Sequence, residues 1–210
     1  MKITVTRGLA ELKTLDSRIQ NAIAQGTYVA VVRGSKEVPL NAAVSKDELE
    51  KTIQASYQQV GDLIKRRDAI KRAIIVANSK TQVSISGATM TVAEAIERKS
   101  SIQYTERLIN TLQAQYNSAT IQANNQNARV EADVEKRVMA AYGNDKGKVT
   151  AEQHDLIAKA VKGEQEAKLL DPKKIVDQIA VLRREYEDFV TEVDFVLSES
   201  NARTEIELAD

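Results

Sequence analysis

The sequence predicts a mainly α protein, an elongated antiparallel helical bundle or coiled coil with a small β-sheet at one end and a protruding helical arm. Three observations predict it. Apolar residues recur every three or four positions over long runs, the stripe of an amphipathic helix. Both prolines, Pro39 and Pro172, lie outside those stripes, so the runs are free of breakers. Residues 77–85 (A-N-S-K-T-Q-V-S-I) are echoed by residues 200–208 (S-N-A-R-T-E-I-E-L). Each copy gives Asn, any residue, a base, Thr and then alternating apolar positions. The expected structure is a helix closed by Asn in the left-handed conformation, followed by a short strand. Two long helices would then end together and hand their strands to one small sheet.

In chain order, Lys2 to Val5 alternates and reads as an edge strand. Thr6 can cap a first helix whose apolar face is Leu9, Leu12, Leu15, Ile19, Ala22 and Ile23, ended by Gly26. Tyr28 to Arg33 reads as a strand and Gly34-Ser35 as a turn. Residues 36–41 return as a second strand that Pro39 keeps at an edge. Ser45-Lys46-Asp47-Glu48 is a capping box. The helix behind it carries Leu49, Ile53, Tyr57 or Ser56, Val60, Leu63/Ile64, Arg67, Ile70, Ile74 and Ala77, close to a heptad, over roughly 50 Å.

A hairpin follows, with Val83 and Ile85 on one side, Ser86-Gly87 as the turn and Met90 on the return. Thr91-Val92-Ala93-Glu94 is a second capping box. From it a three–four stripe runs through Ala95, Ile96, Lys99, Ile102, Thr105, Ile109, Leu112, Tyr116, Ala119, Ala123, Val130, Val134, Val138 and Ala141. A helix over 92–142 would be roughly 75 Å long. Its centre, residues 123–128, is rich in amides. That stretch reads either as a thinly packed segment, or as a hinge or amide layer fixing register in an oligomer. Gly143 to Lys148 reads as a solvated turn. Thr150 to Gln153 is a third capping box, opening a short helix to about Lys162 that folds back on the end of the long one. Gly163 to Leu170 reads as a linker. Asp171-Pro172 opens the last helix, where Ile175, Ile179, Leu182, Tyr186, Phe189, Val193 and Val196 form the cleanest heptad, ending at Asn201. The expected organisation is a helical body with a small sheet over 1–109 and 166–210, and an arm over 110–165.

Composition narrows the function classes. Aromatics are 4%, without Trp, and cysteine is absent, so thiolate chemistry and disulfides are excluded. Net charge is zero, yet residues 1–100 carry 16 Lys/Arg against 10 Asp/Glu and residues 101–210 carry 14 against 20. Balanced opposite halves suit complementarity within or between chains better than a nucleic-acid footprint, which needs a basic excess. No run approaches 18 apolar residues and the start leads into no hydrophobic signal region. The expectation is a soluble chain without signal peptide or transmembrane segment, in a virion or the bacterial cytoplasm.

Candidate chemistry is sparse. His154 is the single histidine and reads as a surface residue, with no second His or Cys for a zinc set. Glu185, Glu187, Asp188, Glu192, Asp194 and Glu199 read as a solvated or ion-paired helix face rather than a catalytic carboxylate pair. The eight glycines form no phosphate-cradling loop. Catalytic residues, metal ligands and cofactors are all expected to be none. The basic run Lys65-Arg66-Arg67-Asp68-Ala69-Ile70-Lys71-Arg72 is expected to pair with the acidic last helix of an antiparallel bundle. A protein partner, nucleic acid or lipid are the alternatives.

The hairpin and its cap carry a resemblance. Asn78-x-x-Thr81, then Ile85-x-Gly87-x-Thr89-Met90-Thr91-x-Ala93-x-Ala95-Ile96-x-Arg98-Lys99, resembles the core of the septicolysin-like family of small bacterial coiled-coil proteins. Leu12, Leu15, Arg18 and Ile19 are similar to that family's opening helix, and Asn201 with Thr204 to its closing one. Similar sequences occur in proteins of tailed phages. Beside such relatives, residues 27–41 and about 115–165 look like additions. The resemblance and the heptads together lead to the first expectation, a non-enzymatic structural or assembly protein of a tailed-phage virion. It would act by self-association or with other virion proteins, without nucleic acid or membrane as partner. The family's lytic name implies the alternative, a membrane-active, pore-forming protein.

Overall fold

Strand and helix alternate without intervening loops at one place after another. Strand β1 (Lys2–Thr4) runs into α1 (Val5–Gln25); β2 (Val32–Arg33) and β3 (Val38–Pro39) form a hairpin; α2 (Lys46–Lys80) precedes β4 (Gln82–Ile85). Strand β5 (Ala88–Thr91) runs into α3 (Val92–Tyr142), followed by α4 (Ala151–Gln165), α5 (Ile175–Arg203) and β6 (Glu205–Glu207). The computed structural model describes residues 1–40, 44–143 and 149–208. The molecule is mainly helical, with small antiparallel two-stranded sheets. Two compact units divide it, one of Met1–Ser100 with Phe189–Asp210 and one of Ser101–Asp188. The second unit therefore includes the segment 110–165 together with residues 101–109 and 166–188 on either side of it.

The capping boxes form as the sequence predicts, because each supplies a hydroxyl and a carboxylate or amide to orphan N–H groups. The Ser45 hydroxyl accepts from Glu48 N–H at 3.3 Å while the Glu48 carboxylate accepts from Ser45 N–H at 3.0 Å. The pairs Thr91/Glu94 and Thr150/Gln153 repeat the arrangement. Four helix boundaries differ from expectation. The first helix is capped by Thr4, whose hydroxyl accepts from Arg7 N–H, not by Thr6, which lies inside α1. Asn78 and Asn201 do not adopt the left-handed conformation; they sit within α2 and α5, which continue to Lys80 and Arg203. A strand follows each directly, so an extended Thr closes the helix. Thr81 N–H reaches Ala77 O and Thr204 N–H reaches Ser200 O, both at 2.9 Å. Asp171-Pro172 also does not begin the last helix. The Asp171 carboxylate accepts from Ile175 N–H at 2.9 Å across a turn in which Lys174 takes a positive φ of 52°, and α5 starts at Ile175. The turn expected over residues 143–148 lies, apart from Gly143, outside the described residues.

The echo has a structural meaning, though not a shared sheet. β4 pairs with β5, β6 pairs with β1, and β2 pairs with β3, in separate two-stranded sheets. Thr81 O accepts from Val92 N–H and Thr204 O accepts from Val5 N–H, each at 2.9 Å. One motif is thus built twice, as helix, strand, antiparallel strand, helix. It is contiguous in α2–β4–β5–α3 and split in α5–β6 with β1–α1. The contiguous copy turns at Ser86 and Gly87, both with positive φ. In the split copy Met1 and Leu208 stand where Ala88 and Ile85 flank the turn, and exchange two hydrogen bonds of 2.9 Å. The repeat extends to packing. Val5 and Val92, Ile206 and Val83, Leu208 and Ile85 are matched and buried, and Ala95 stands where Gly8 stands.

The core of the split copy joins Ile3, Val5, Leu12, Leu15, Ile206 and Leu208 to Ile70 and Ile74 of α2. α1 and α2 run antiparallel, with the start of α1 beside the end of α2. The α1–α2 approach is close at Gly8. A Cβ there would meet Ile206 Cδ1, Ile74 Cδ1 and Ile70 Cγ2 at 3.2, 3.3 and 3.4 Å. In the second unit, α4 folds back on α3 as expected, closing a cluster of Val130, Val134, Val138 and Val161 backed by Val149, Ile157 and Ala158. The heptad of α5 holds, with Ile179, Phe189 and Val193 buried. The stripe of α2 takes Ser56 rather than Tyr57, which is 76% exposed.

Candidate interaction surfaces

The region 27–40 is where the first unit departs most from a packed body. Only Val32–Arg33 and Val38–Pro39 form strands, shorter than the runs 28–33 and 36–41 expected, of which Asn41 lies outside the described residues. The turn is closed by Glu37 N–H on Gly34 O, with both residues at positive φ. The register Val32↔Pro39 and Arg33↔Val38, with Leu40 N–H donating to Val31 O at 2.9 Å, fixes the two faces. Successive side chains alternate across a strand. Pro39 is buried on the side of Val32, while Val31, Val38 and Leu40 share the other side with Arg33. That second face is open to solvent, with Val31 64% exposed, and Val29 just ahead of it is 84% exposed.

Beside it, the end of α1 and the first half of α2 leave an apolar groove of about 680 Å³. Ile23, Tyr28, Tyr57, Val60, Gly61 and Ile64 line it, with Asp62 and Lys65 on the rim. Tyr28 is pinned there by its hydroxyl, which donates to Ala22 O at 2.8 Å and lies over Gly26. Gly61 opens the groove, because nothing stands within 4 Å of the position a Cβ would take.

The basic run is paired, but with a different helix from the one expected. Arg66 Nε donates to Glu11 Oε1 at 2.8 Å and Arg67 Nε to Asp16 Oδ1 at 2.6 Å, so these two arginines pair with α1 and not with α5. The reason is topological: α1 is the helix antiparallel to α2, and its carboxylates reach across their seam. Lys65 lies 4.0 Å from Asp62 of its own helix. On α5, Glu192 accepts from Ser86 N–H at 2.6 Å and so holds the strained turn, Asp194 pairs with Lys99, and Glu199 pairs with Arg203. Arg98 stacks on Phe189, 4.7 Å from its ring centre.

In the second unit the amide-rich stretch of α3 binds chain rather than bending. α3 is continuous through it. Asn127 accepts from Ala167 N–H at 2.8 Å and donates to Ala167 O at 3.0 Å, and Gln126 donates to Gln165 O at 3.2 Å. These amides fasten the segment leaving α4. His154 is partly exposed, with Nε2 3.2 Å from Glu135 Oε1. Nearby Lys162 pairs with Glu131, which raises the lysine above its ordinary value. A smaller groove of about 200 Å³, lined by Leu112, Tyr116, Ala119, Leu169, Leu170 and Ile175, carries Leu170 at 96% exposure. Tyr186 is pushed up by partial burial and by the Glu106 carboxylate beside it.

Among the described residues no group of three or more His, Asp or Glu converges as a metal set, and no helix is long and apolar enough to cross a membrane. Comparison of the chain with family models, with curated proteins and with solved structures finds no match. The hairpin face and the α1–α2 groove were not evident as one surface in the sequence. The available signal was Tyr28-Val29-Ala30-Val31-Val32, five uncharged residues in a chain that is 29% charged.

Proposed function

We propose that the chain is a non-enzymatic structural or assembly protein that acts through protein–protein contacts, of the kind that builds a tailed-phage particle. The observation that supports it is the apolar hairpin face of Val29, Val31, Val38 and Leu40, left open beside an apolar groove. Contiguous apolar surface of several hundred Å² is costly to leave in water and marks an interaction site. Ahead of β2, Tyr28 and Ala30 make no backbone hydrogen bond among the described residues, which leaves groups that another chain can pair with. The hairpin lies outside the repeated helix–strand–strand–helix motif, so it can be altered without touching either core.

The test is to replace Val29, Val31, Val38 and Leu40 together by Ser and follow incorporation into assemblies sedimented from producing cells. Unchanged circular dichroism with loss of incorporation is the expected result. Incorporation equal to the parent chain would contradict the reading.

A further inference from the structure

We propose that the occupant of this surface is a second copy of the chain, with the hairpin of each protomer seated in the α1–α2 groove of the other. The inference rests on the assembly reading and names its partner. A two-fold contact must be self-complementary, each protomer offering the same patch. Here one patch contains both halves of a fit: a ridge, Val29 and Val31, and a groove, floored by Ile23, Tyr57, Val60 and Ile64. Ridge and groove are joined through Tyr28, which lines the groove and precedes Val29. Gly61 leaves room for the backbone of an incoming strand to approach closely.

Area agrees with a stable dimer. The exposed fractions of Ile23, Tyr28, Val29, Val31, Val38, Leu40, Tyr57 and Ile64 amount to between four and five whole side chains. With about 150–250 Å² for a whole tyrosine and less for each aliphatic residue, they supply on the order of several hundred Å², most of the roughly 800 Å² each partner contributes to a standard interface. Charge agrees as well. Arg33 shares the ridge face and has no ion pair among the described residues. Asp62 lines the groove, and among the described residues its ion-pair partner is Lys65 at 4.0 Å. Seating the ridge brings Arg33 of one protomer toward Asp62 of its partner, twice by symmetry.

The chain has no cysteine, so single thiols report the contact cleanly. Val31→Cys and Ile64→Cys chains, mixed and mildly oxidised, are expected to yield a mixed disulfide dimer well in excess of either like pair. Light scattering of the parent chain is expected to rise with concentration from 23.2 kDa to twice that mass. Val29→Lys is expected to weaken the dimer at least tenfold. Arg33→Asp and Asp62→Arg should each weaken it and together restore it, which guards against a variant that merely misfolds. A monomer at every concentration, or a dimer indifferent to Val29→Lys and to the charge exchange, overturns the proposal. Either result leaves the assembly reading to be decided by incorporation into particles, a separate measurement.

Discussion

Replacing Ile70 by Ala tests the packing of α1 against α2 where it is tightest. Ile70 is 0% exposed and sits in the cluster that joins β1, α1, α2 and β6. Three carbons are removed, at about 0.8 kcal/mol each for lost burial, and the cavity adds to that. A loss of about 3–4 kcal/mol follows, within the usual span for such truncations, against a typical stability of about 5–15 kcal/mol. Gly8→Ala alone is expected to fall within about 0.5 kcal/mol of the parent. Its gain in helix propensity of about 1 kcal/mol is offset by a methyl meeting three isoleucine side-chain methyls at 3.2–3.4 Å. The matched position in the other copy of the motif already carries a buried Ala95, so the geometry tolerates a methyl. In the double variant the new methyl stands beside the space that Ile70 vacates. The combined loss should be about 1 kcal/mol smaller than the sum of the single losses. Urea unfolding followed by far-ultraviolet circular dichroism measures all three. A loss below about 1 kcal/mol for Ile70→Ala, or additivity within about 0.3–0.5 kcal/mol, would refute the reasoning.

Other consequences follow from single contacts. Asn127→Ala removes both bonds to Ala167 and leaves a partly buried amide unpaired, at a cost of about 1–2 kcal/mol; amide exchange at Ala167 should accelerate, and unchanged protection there would count against the clamp. Amide and hydroxyl donors at the helix starts hold the Glu48 and Glu94 carboxylates below their ordinary range. Because the folded value is the lower one, the cap contribution is complete above the unfolded value of about 4.3 and is lost as pH falls through the folded value. The Glu48→Gln, Glu94→Gln chain should therefore show a flatter fall of thermal midpoint on acidification, and an equally steep fall would remove the caps from the explanation. Anionic liposomes loaded with dye should stay sealed at micromolar protein; release would favour the pore-forming alternative that the septicolysin-like resemblance implies.

Local patterns were legible where chemistry at short range decides. Ser45 with Glu48, Thr91 with Glu94 and Thr150 with Gln153 each fix a helix start by hydrogen bonds spanning three residues. The heptad of the last helix is legible because burial repeats with the helix turn. Partnerships at long range were not. The echo at 77–85 and 200–208 suggested one sheet, because alternation shows a strand without naming its neighbour. The missing half lay in Ile3-Thr4-Val5 and Met90-Thr91-Val92, the matched strands that β6 and β4 take as partners. Likewise the sign of charge suggested α5 as partner for Arg66 and Arg67, whereas adjacency to α1 decided it. Asn127 illustrates a third limit. Its amide in a polar run reads as part of a thinly packed segment, a hinge or a register layer, and its pairing with Ala167 is in none of these readings. The open hairpin face was the least legible feature, since the same valines would suit a buried strand.

The most direct test of the assembly role is quantitative mass spectrometry of assemblies sedimented from cells that make the chain. The account predicts recovery with the sedimented particles at a constant copy ratio to its neighbours across independent preparations. Recovery wholly in the low-mass supernatant, or at a ratio that drifts from one preparation to the next, would contradict it.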